Sequence, residues 1–374
     1  MKETLNVGLI GYGYMGKMHT LCYENIKYYY DLNGKKVNLY ALSSSKSIDE
    51  IGNYKKAYTN YKDLINDENV DVVDICLPNN MHKEVLIEAI KAGKHIYCEK
   101  PLALNLKEAE AVMAVMKETS YKGINRMVFE YRFIPAIMRA KQMIDEGMIG
   151  KIINFNFKYY GSEFLNPNRP ISWQSTKEMA GGGVLYALGS HAIDLIHYLV
   201  GDVTSLYANT KTHYKERPLK DSSGFKKVEI EDIVNAQLTV GDDILGTLTL
   251  SQLAAGSGTD VKFEIFGERG SIKFDHSNPN AIKYFSADDI DNPIGGVSGF
   301  KEIETTQKYP RPAIFPPPRV NISWIRYHIA SQFDFIQAVY ENKETSPDIN
   351  DGFKVQKVMN KIYESASLNK VLKL

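Results

Sequence analysis

A short apolar run, Leu5-Asn6-Val7-Gly8-Leu9-Ile10, leads directly into Gly11-Tyr12-Gly13-Tyr14-Met15-Gly16, and an amphipathic stretch follows over 17–30. A strand, a G-x-G-x-x-G turn and a helix in direct succession leave a chain few folds to choose from. The first glycine permits a tight turn. The second has no Cβ, so the backbone can approach a phosphate, and the third lets the helix pack close to the strand. The helix N-terminus then offers free N–H groups and a partial positive charge to an anion. The pattern implies a dinucleotide pyrophosphate on Gly11, Tyr12, Gly13, Met15 and Gly16. The alternative is a glycine-rich turn with a packing role alone.

Strand-like runs recur at 37–42, 70–77 and 95–99, with helical spacing over 84–92, closed by Gly93, and over 106–117. Strands alternating with helices of this length build a doubly wound parallel sheet. Ligands bind such sheets beyond the strand C-termini, at the switch point. The glycine turn, Pro78-Asn79 and Glu99-Lys100-Pro101 all fall at strand ends. We therefore expect an α/β fold with an N-terminal Rossmann domain over 1–123. After it, strand-like segments dominate, at 152–160, 205–213, 228–240, 245–253, 261–266 and 271–274. Helical patterns lie at 135–147, 191–200, 325–340 and 351–368. This argues for a second, α+β domain over 124–374, with a large, mostly antiparallel sheet and helices on one face. The loop-rich segment 286–318, with Phe315-Pro316-Pro317-Pro318 extended, is a linker, a lid or an oligomer arm.

Composition removes other classes. At 374 residues, two domains are expected. Lys+Arg and Asp+Glu balance at 45 each, so no global field recruits nucleic acid or an anionic membrane. Cys22, Cys76 and Cys98 lack metal-ligand spacing; no metal is expected, and the thiols read as reduced. No apolar run approaches about 18 residues. The first strand begins near Leu5, which leaves little space for a secretory leader, and a cytoplasmic location is expected.

The end of the second strand bears on the dinucleotide. An acid usually grips the ribose 2′-hydroxyl of NAD there, but Ser43-Ser44-Ser45-Lys46-Ser47 has no acid until Asp49. Ser44, Ser45 and Lys46 suit a 2′-phosphate through donors and charge. NADP(H) is favoured, with NAD(H) the other candidate.

Several motifs in order resemble the Gfo/Idh/MocA family of NAD(P)-dependent oxidoreductases. Glu99-Lys100-Pro101-Leu102 resembles its E-K-P motif, and Tyr131-Arg132-Phe133-Ile134-Pro135 its Y-R-F-x-P segment. Gly181-Gly182-Gly183-Val184-Leu185, then Leu188-Gly189-Ser190-His191-Ala192-Ile193-Asp194-Leu195, resembles its substrate-site motif. The resemblance runs end to end. It implies hydride transfer between a nicotinamide and a secondary alcohol or ketone of a sugar or cyclitol, in a homodimer or homotetramer formed through the second sheet.

It also implies roles. Lys100 is the central acid/base group: burial beside a cationic nicotinamide lowers its pKa toward a useful range, and its bond to Pro101 is expected to be cis. Asn79 and His82 line the nicotinamide side, with Pro78 and Glu99. His191 orients or protonates a substrate oxygen, and a helix N-terminus there favours its neutral ring; otherwise it is a core histidine. Asp194, three residues on, either orients His191, holds a sugar hydroxyl or caps structure. Arg132 serves cofactor or substrate, or forms an ion pair. Trp173 stands where the family has Trp-Arg, but Gln174 follows it. Many relatives carry an aspartate four residues before the histidine, and here that position is Ala187. Either Tyr160 or Tyr186 takes its role, the substrate sits differently, or catalysis is lost. The alternatives to a dehydrogenase are a non-catalytic dinucleotide- and sugar-sensing protein, or a glycosidase that uses transient oxidation.

Overall fold

In a computed structural model the described residues are 2–44, 53–220, 223–291, 293–306 and 312–374. Contacts divide the chain into two units. The first comprises Met1–Glu130, Tyr309–Pro318 and Ser323–Gln356, and the second the remainder.

The first unit holds strands β1 (Thr4–Ile10), β2 (Lys36–Ser43), β3 (Lys56–Tyr58), β4 (Val72–Ile75), β5 (His95–Cys98) and β6 (Asn125–Met127). They form one parallel sheet in the order β3-β2-β1-β4-β5-β6, so the strand order reverses between β1 and β4. This is the doubly wound arrangement expected from the alternating pattern. Its helices are α1 (Tyr14–Tyr29), α2 (Tyr61–Asn66), α3 (Asn79–Lys91) and α4 (Leu106–Glu118). Asn60 and Asn105 cap α2 and α4 by accepting from Lys62 N and Glu108 N. β3 and α2 carry too few apolar residues to show a period, and sequence patterning passed over them.

The second unit begins with helix α5 (Pro135–Asp145) and strand β7 (Ile152–Tyr160). Helices α6 (Lys177–Ala180) and α7 (Ser190–Leu199) follow, then β8 (Val203–Lys211) and a small hairpin, β9 (Glu216–Pro218) and β10 (Phe225–Lys227). Strands β11 (Ile233–Val240), β12 (Ile244–Ser251), β13 (Asp260–Gly267), β14 (Gly270–Asp275), β15 (Ala281–Ser286) and β16 (Lys301–Glu304) continue it. The chain returns to the first unit for α8 (Trp324–Glu341), and α9 (Ile349–Leu368), whose residues from 357 on fall in the second unit, precedes a terminal β17 (Leu372–Lys373). The nine-stranded sheet runs β16-β15-β14-β13-β7-β12-β11-β8-β17, antiparallel except between β12 and β7. Burial alternates along its strands. On β7, Phe155, Phe157 and Tyr159 face the covered side, and Asn156, Lys158 and Tyr160 the other. The loop-rich stretch 286–318 contains β16, and Phe315-Pro316 is a cis bond.

The division of the chain at 123/124 places α8 in the second domain, whereas its contacts place it in the first unit. Ile329, Phe333, Phe335 and Ile336 of α8 join Leu9, Cys22 and Ile26 in one buried cluster, with the Phe333 and Tyr30 rings stacked 3.8 Å apart. An amphipathic pattern shows that a helix has an apolar face. It does not show which sheet that face will cover.

Candidate functional site

In the first unit the glycine turn has the geometry that a pyrophosphate cradle requires. Gly11 has φ +95°, and a Cβ there would lie 2.4 Å from the Cys76 carbonyl oxygen. A Cβ on Gly16 would lie 2.0 Å from the Gly11 carbonyl oxygen, so only glycine lets α1 start this close to β1. Gly13 precedes α1, and a Cβ on it would meet no atom within 4 Å. The space beside it is open to a ligand, and α1 begins without a side-chain cap. These residues fit a dinucleotide pyrophosphate. Tyr12 packs edge-on against Tyr54 at 6.2 Å, and Met15 is half-buried in the first turn. Ser44 N donates to Tyr58 O at the end of β2, whereas Ser45 and Lys46 lie outside the described residues.

Pro78 caps α3, which starts at Asn79. His82 is fully buried one turn on, its ring nitrogens 2.7 Å from Pro101 O and 2.9 Å from Leu77 O. It thus ties the loop after β4 to the loop after β5. Burial lowers its pKa, against the pull of the two carbonyl oxygens. The Lys100–Pro101 bond is cis, as the resemblance implies.

Around Lys100 lies a buried polar network that sequence reasoning missed. His19, three residues past Gly16, is fully buried on α1. Its Nδ1 lies 2.9 Å and 3.0 Å from the two carboxylate oxygens of Asp74 on β4, and 3.1 Å from Cys76 Sγ. Its Nε2 lies 3.2 Å from Glu99 Oε1, and Glu99 Oε2 accepts from Lys100 N at 3.1 Å. Burial disfavours a charged His19, but Asp74 outweighs it and the pKa rises well above the ordinary histidine value. Glu99 moves the other way: burial opposes its charge, yet His19, with help from Lys100, holds its pKa below the usual value. Lys100 is lowered by burial, against the pull of Glu99 and Glu130. A carboxylate in the middle of an apolar strand, Val72-Val73-Asp74-Ile75, was the available signal.

The second unit gathers a different set. Leu185–Gly189 form a π-helical turn that runs without interruption into α7, with Gly189 already helical. The helix N-terminus therefore lies upstream of His191, contrary to the expectation that it faces the ring. Glu231 occupies it instead, accepting from Gly183 N at 3.1 Å and Leu185 N at 2.9 Å, and receiving the Tyr363 hydroxyl at 2.8 Å. Burial raises the Glu231 pKa against these donors. Extra residues in a helical turn often mark functional positions, and this turn carries Ala187.

His191 is 6% exposed and packs its ring 4.9 Å from that of Tyr131, whose hydroxyl lies 2.7 Å from the Tyr159 hydroxyl. Tyr160, the sequence candidate, is on the opposite face of β7, 3.2 Å from Thr249 Oγ1, because strand side chains alternate. Tyr186 is buried against Tyr363, with ring centroids 6.2 Å apart. Asp194 is buried on α7. It forms a bidentate pair with Arg132, Nε–Oδ2 2.9 Å and Nη2–Oδ1 2.5 Å, and the guanidinium lies over Tyr198. Of the three readings of Arg132, the structure contains the ion pair. Trp173 sits in a one-turn helix, 40% exposed.

Residues 5–124 match a family model described as the oxidoreductase family with an NAD-binding Rossmann fold, and residues 137–273 match the GFO/IDH/MocA C-terminal domain. The chain is 33% identical to levoglucosan dehydrogenase of Pseudarthrobacter phenanthrenivorans, over 98% of this chain and 97% of that one. A solved structure of levoglucosan dehydrogenase in complex with NADH and levoglucosan superposes with a TM-score of 0.92, at 31% identity and covering 99% of each chain. Inositol 2-dehydrogenase/D-chiro-inositol 3-dehydrogenase of Lactiplantibacillus plantarum is 28% identical, over 71% of this chain and 70% of that one. The chain belongs to the Gfo/Idh/MocA family of oxidoreductases. It is an enzyme with a nicotinamide-dinucleotide-binding Rossmann domain. Among the described residues no helix is long and apolar enough to cross a membrane.

Proposed function

We propose that the protein transfers hydride between a nicotinamide dinucleotide and a secondary alcohol or ketone of a carbohydrate or polyol, with Lys100 as its proton-handling group. The observation that carries this reading is Lys100 itself. It is a half-buried amine just past β5, lowered in pKa by desolvation and bonded through its backbone N–H to the Glu99 carboxylate. Lys100 at the end of β5 suits a ligand bound beyond the strand C-termini, where open α/β sheets take their ligands. The relatives named for levoglucosan and inositol support a polyhydroxylated ring as substrate.

The bound dinucleotide supplies or accepts the hydride. Gly11, Gly13 and Gly16 with the start of α1 hold its pyrophosphate, and Pro78, Asn79 at the start of α3 and Glu99 after β5 line the dinucleotide. Lys100 Nζ takes the hydroxyl proton during alcohol oxidation and returns it during ketone reduction. His191, held against Tyr131, orients the reacting hydroxyl. The enzyme assembles as a homo-oligomer through the uncovered face of the nine-stranded sheet, where Lys158, Thr249 and Lys262 form a polar surface.

Substrate turnover decides the reading. Anhydrosugars, aldoses and cyclitols are offered with NAD+ and NADP+, and nicotinamide absorbance is followed. A Lys100→Met variant should lose about 100-fold or more in kcat, while dinucleotide affinity changes little. Binding of NADH or NADPH and a sugar with no hydride transfer in either direction would favour the sensor reading, which rests on Ala187. For the dinucleotide, Ser44, Ser45 and Lys46 without an acid favour NADP(H), whereas the complex of the relative holds NADH. Fluorescence titration should give tighter NADPH binding by about 1–3 kcal/mol, and equal or tighter NADH overturns that preference.

A further inference from the structure

Three glycines, Gly181-Gly182-Gly183, lead into the π turn at Leu185–Gly189. Two of them are required by contacts to Glu231 and Tyr363. A Cβ on Gly183 would lie 2.0 Å from the Glu231 carbonyl oxygen, and one on Gly182 would lie 2.1 Å from the Tyr363 hydroxyl. The first clash is with backbone, and the second would drive the hydroxyl off Glu231. Glu231 lies two residues before β11 and is buried. It takes three successive N–H groups. Its Oε1 accepts from Gly183 N at 3.1 Å and from Leu185 N at 2.9 Å, and its main-chain carbonyl accepts from Val184 N at 3.0 Å. Its Oε2 receives the Tyr363 hydroxyl at 2.8 Å, from the part of α9 that belongs to the second unit.

The first N–H groups of a helix have no partner within it, and here one residue satisfies them in a run. The order continues inward. Tyr186 N and Ala187 N donate to Gly183 O at 3.1 Å and 3.0 Å, and the Ser190 hydroxyl donates to Tyr186 O at 2.8 Å. His191 follows as the second residue of α7, its ring 4.9 Å from that of Tyr131. Three residues further, Arg132 holds Asp194 with two hydrogen bonds. His191 therefore stands between two anchors, Glu231 upstream and Arg132 downstream. Helices open from their ends, so release of the upstream anchor loosens the π turn and His191 before it reaches Asp194.

We propose that Glu231 is a positioning residue for His191: its carboxylate and carbonyl fix the start of the π turn, and through that turn the seat of the His191 ring on Tyr131. This rests on the oxidoreductase reading, in which His191 orients the reacting hydroxyl. The work of Glu231 is geometric. Its Oε1 alone reaches both N–H groups bound by the side chain, so an amide oxygen in the same place serves as well, and the amide NH2 can donate to the Tyr363 oxygen.

The test reads His191 directly, without turnover. Its ring resonances in isotope-labelled protein are assigned by their loss in His191→Asn, and the nearby Tyr131 ring shifts them by its ring current. Glu231→Ala should move these resonances, and Glu231→Gln should leave them in place. Ile272→Ala, at a buried position of β14, lowers stability by opening a cavity and should also leave them in place. That control separates positioning from loss of stability. In turnover Glu231→Ala should raise the sugar KM about tenfold, with the dinucleotide Kd within about twofold. In a double-mutant cycle the rise should vanish once His191→Asn is present. Unmoved His191 resonances in Glu231→Ala, an equal movement in Glu231→Gln or Ile272→Ala, or additive effects in the cycle would each overturn the proposal. Should Glu231→Ala fail to fold, Glu231→Asp, one methylene shorter, replaces it, with the same expected shift and the same overturning result. Resonances that move as expected in a protein without hydride transfer would count against the reaction and leave the positioning of His191 by Glu231 standing.

Discussion

In the first unit Asp74, His19 and Glu99 form a buried chain, and Glu99 accepts from the backbone N–H of Lys100. The second unit buries a bidentate pair, Arg132 with Asp194, beside a line of Tyr159, Tyr131 and His191. A matched bidentate pair has satisfied donors and acceptors and fixes geometry. In a chain of coupled groups the proton of each depends on the charge of its neighbours, as the raised pKa of His19 beside Asp74 does. On the function proposed above, the first unit moves the proton and the second orients the substrate. It also follows from how each unit buries its groups. The first collects them where strands of a parallel sheet end, and the second along the covered face of a sheet.

The sharpest way to break this comparison is to unbalance the matched pair. Arg132→Met leaves the Asp194 carboxylate, 1% exposed, without its cation. The cost should be about 3–5 kcal/mol in chemical denaturation, and adding Asp194→Leu should recover most of it. A cost below about 1 kcal/mol would mean that the pair does not fix geometry. The next largest effect falls on binding in the first unit. Gly13→Val should weaken dinucleotide binding by roughly 100-fold, about 2.7 kcal/mol, without lowering Tm, because its new Cβ meets no protein atom within 4 Å. Undiminished binding by a folded variant would show that the turn serves packing alone. The smallest effect tests the two faces of β7. Tyr159→Phe loses a buried hydroxyl pair and should cost about 1 kcal/mol. Tyr160→Phe should stay within about 0.5 kcal/mol. Equal costs would argue that His191 has no special side.

Much of the parallel sheet was legible because its signals are local. The glycine turn, the apolar strands and the Gly93 stop each act over a few residues. The π turn was not legible. Leu185-Tyr186-Ala187-Leu188-Gly189 has no residue that demands five-residue spacing, and what holds its start is Glu231, which lies 46 and 48 residues on. The same holds for His19, whose position reads as one more residue on the buried face of α1 until Asp74 and Glu99 are brought to it.

By itself the sequence determined the class of each sheet, the place of the glycine turn and the position of Lys100 at a strand end. Each of these follows from periodicity and from the conformations open to glycine and proline. Tertiary structure alone decided which polar side chains meet. His19 reaches Asp74 across 55 residues and Glu99 across 80. Strand register sets Tyr159, not Tyr160, on the face of His191, and α8 joins the first unit across some of the longest separations in the chain. Such meetings depend on strand order, register and helix docking, which are set by the burial of whole faces and not by any short run of residues.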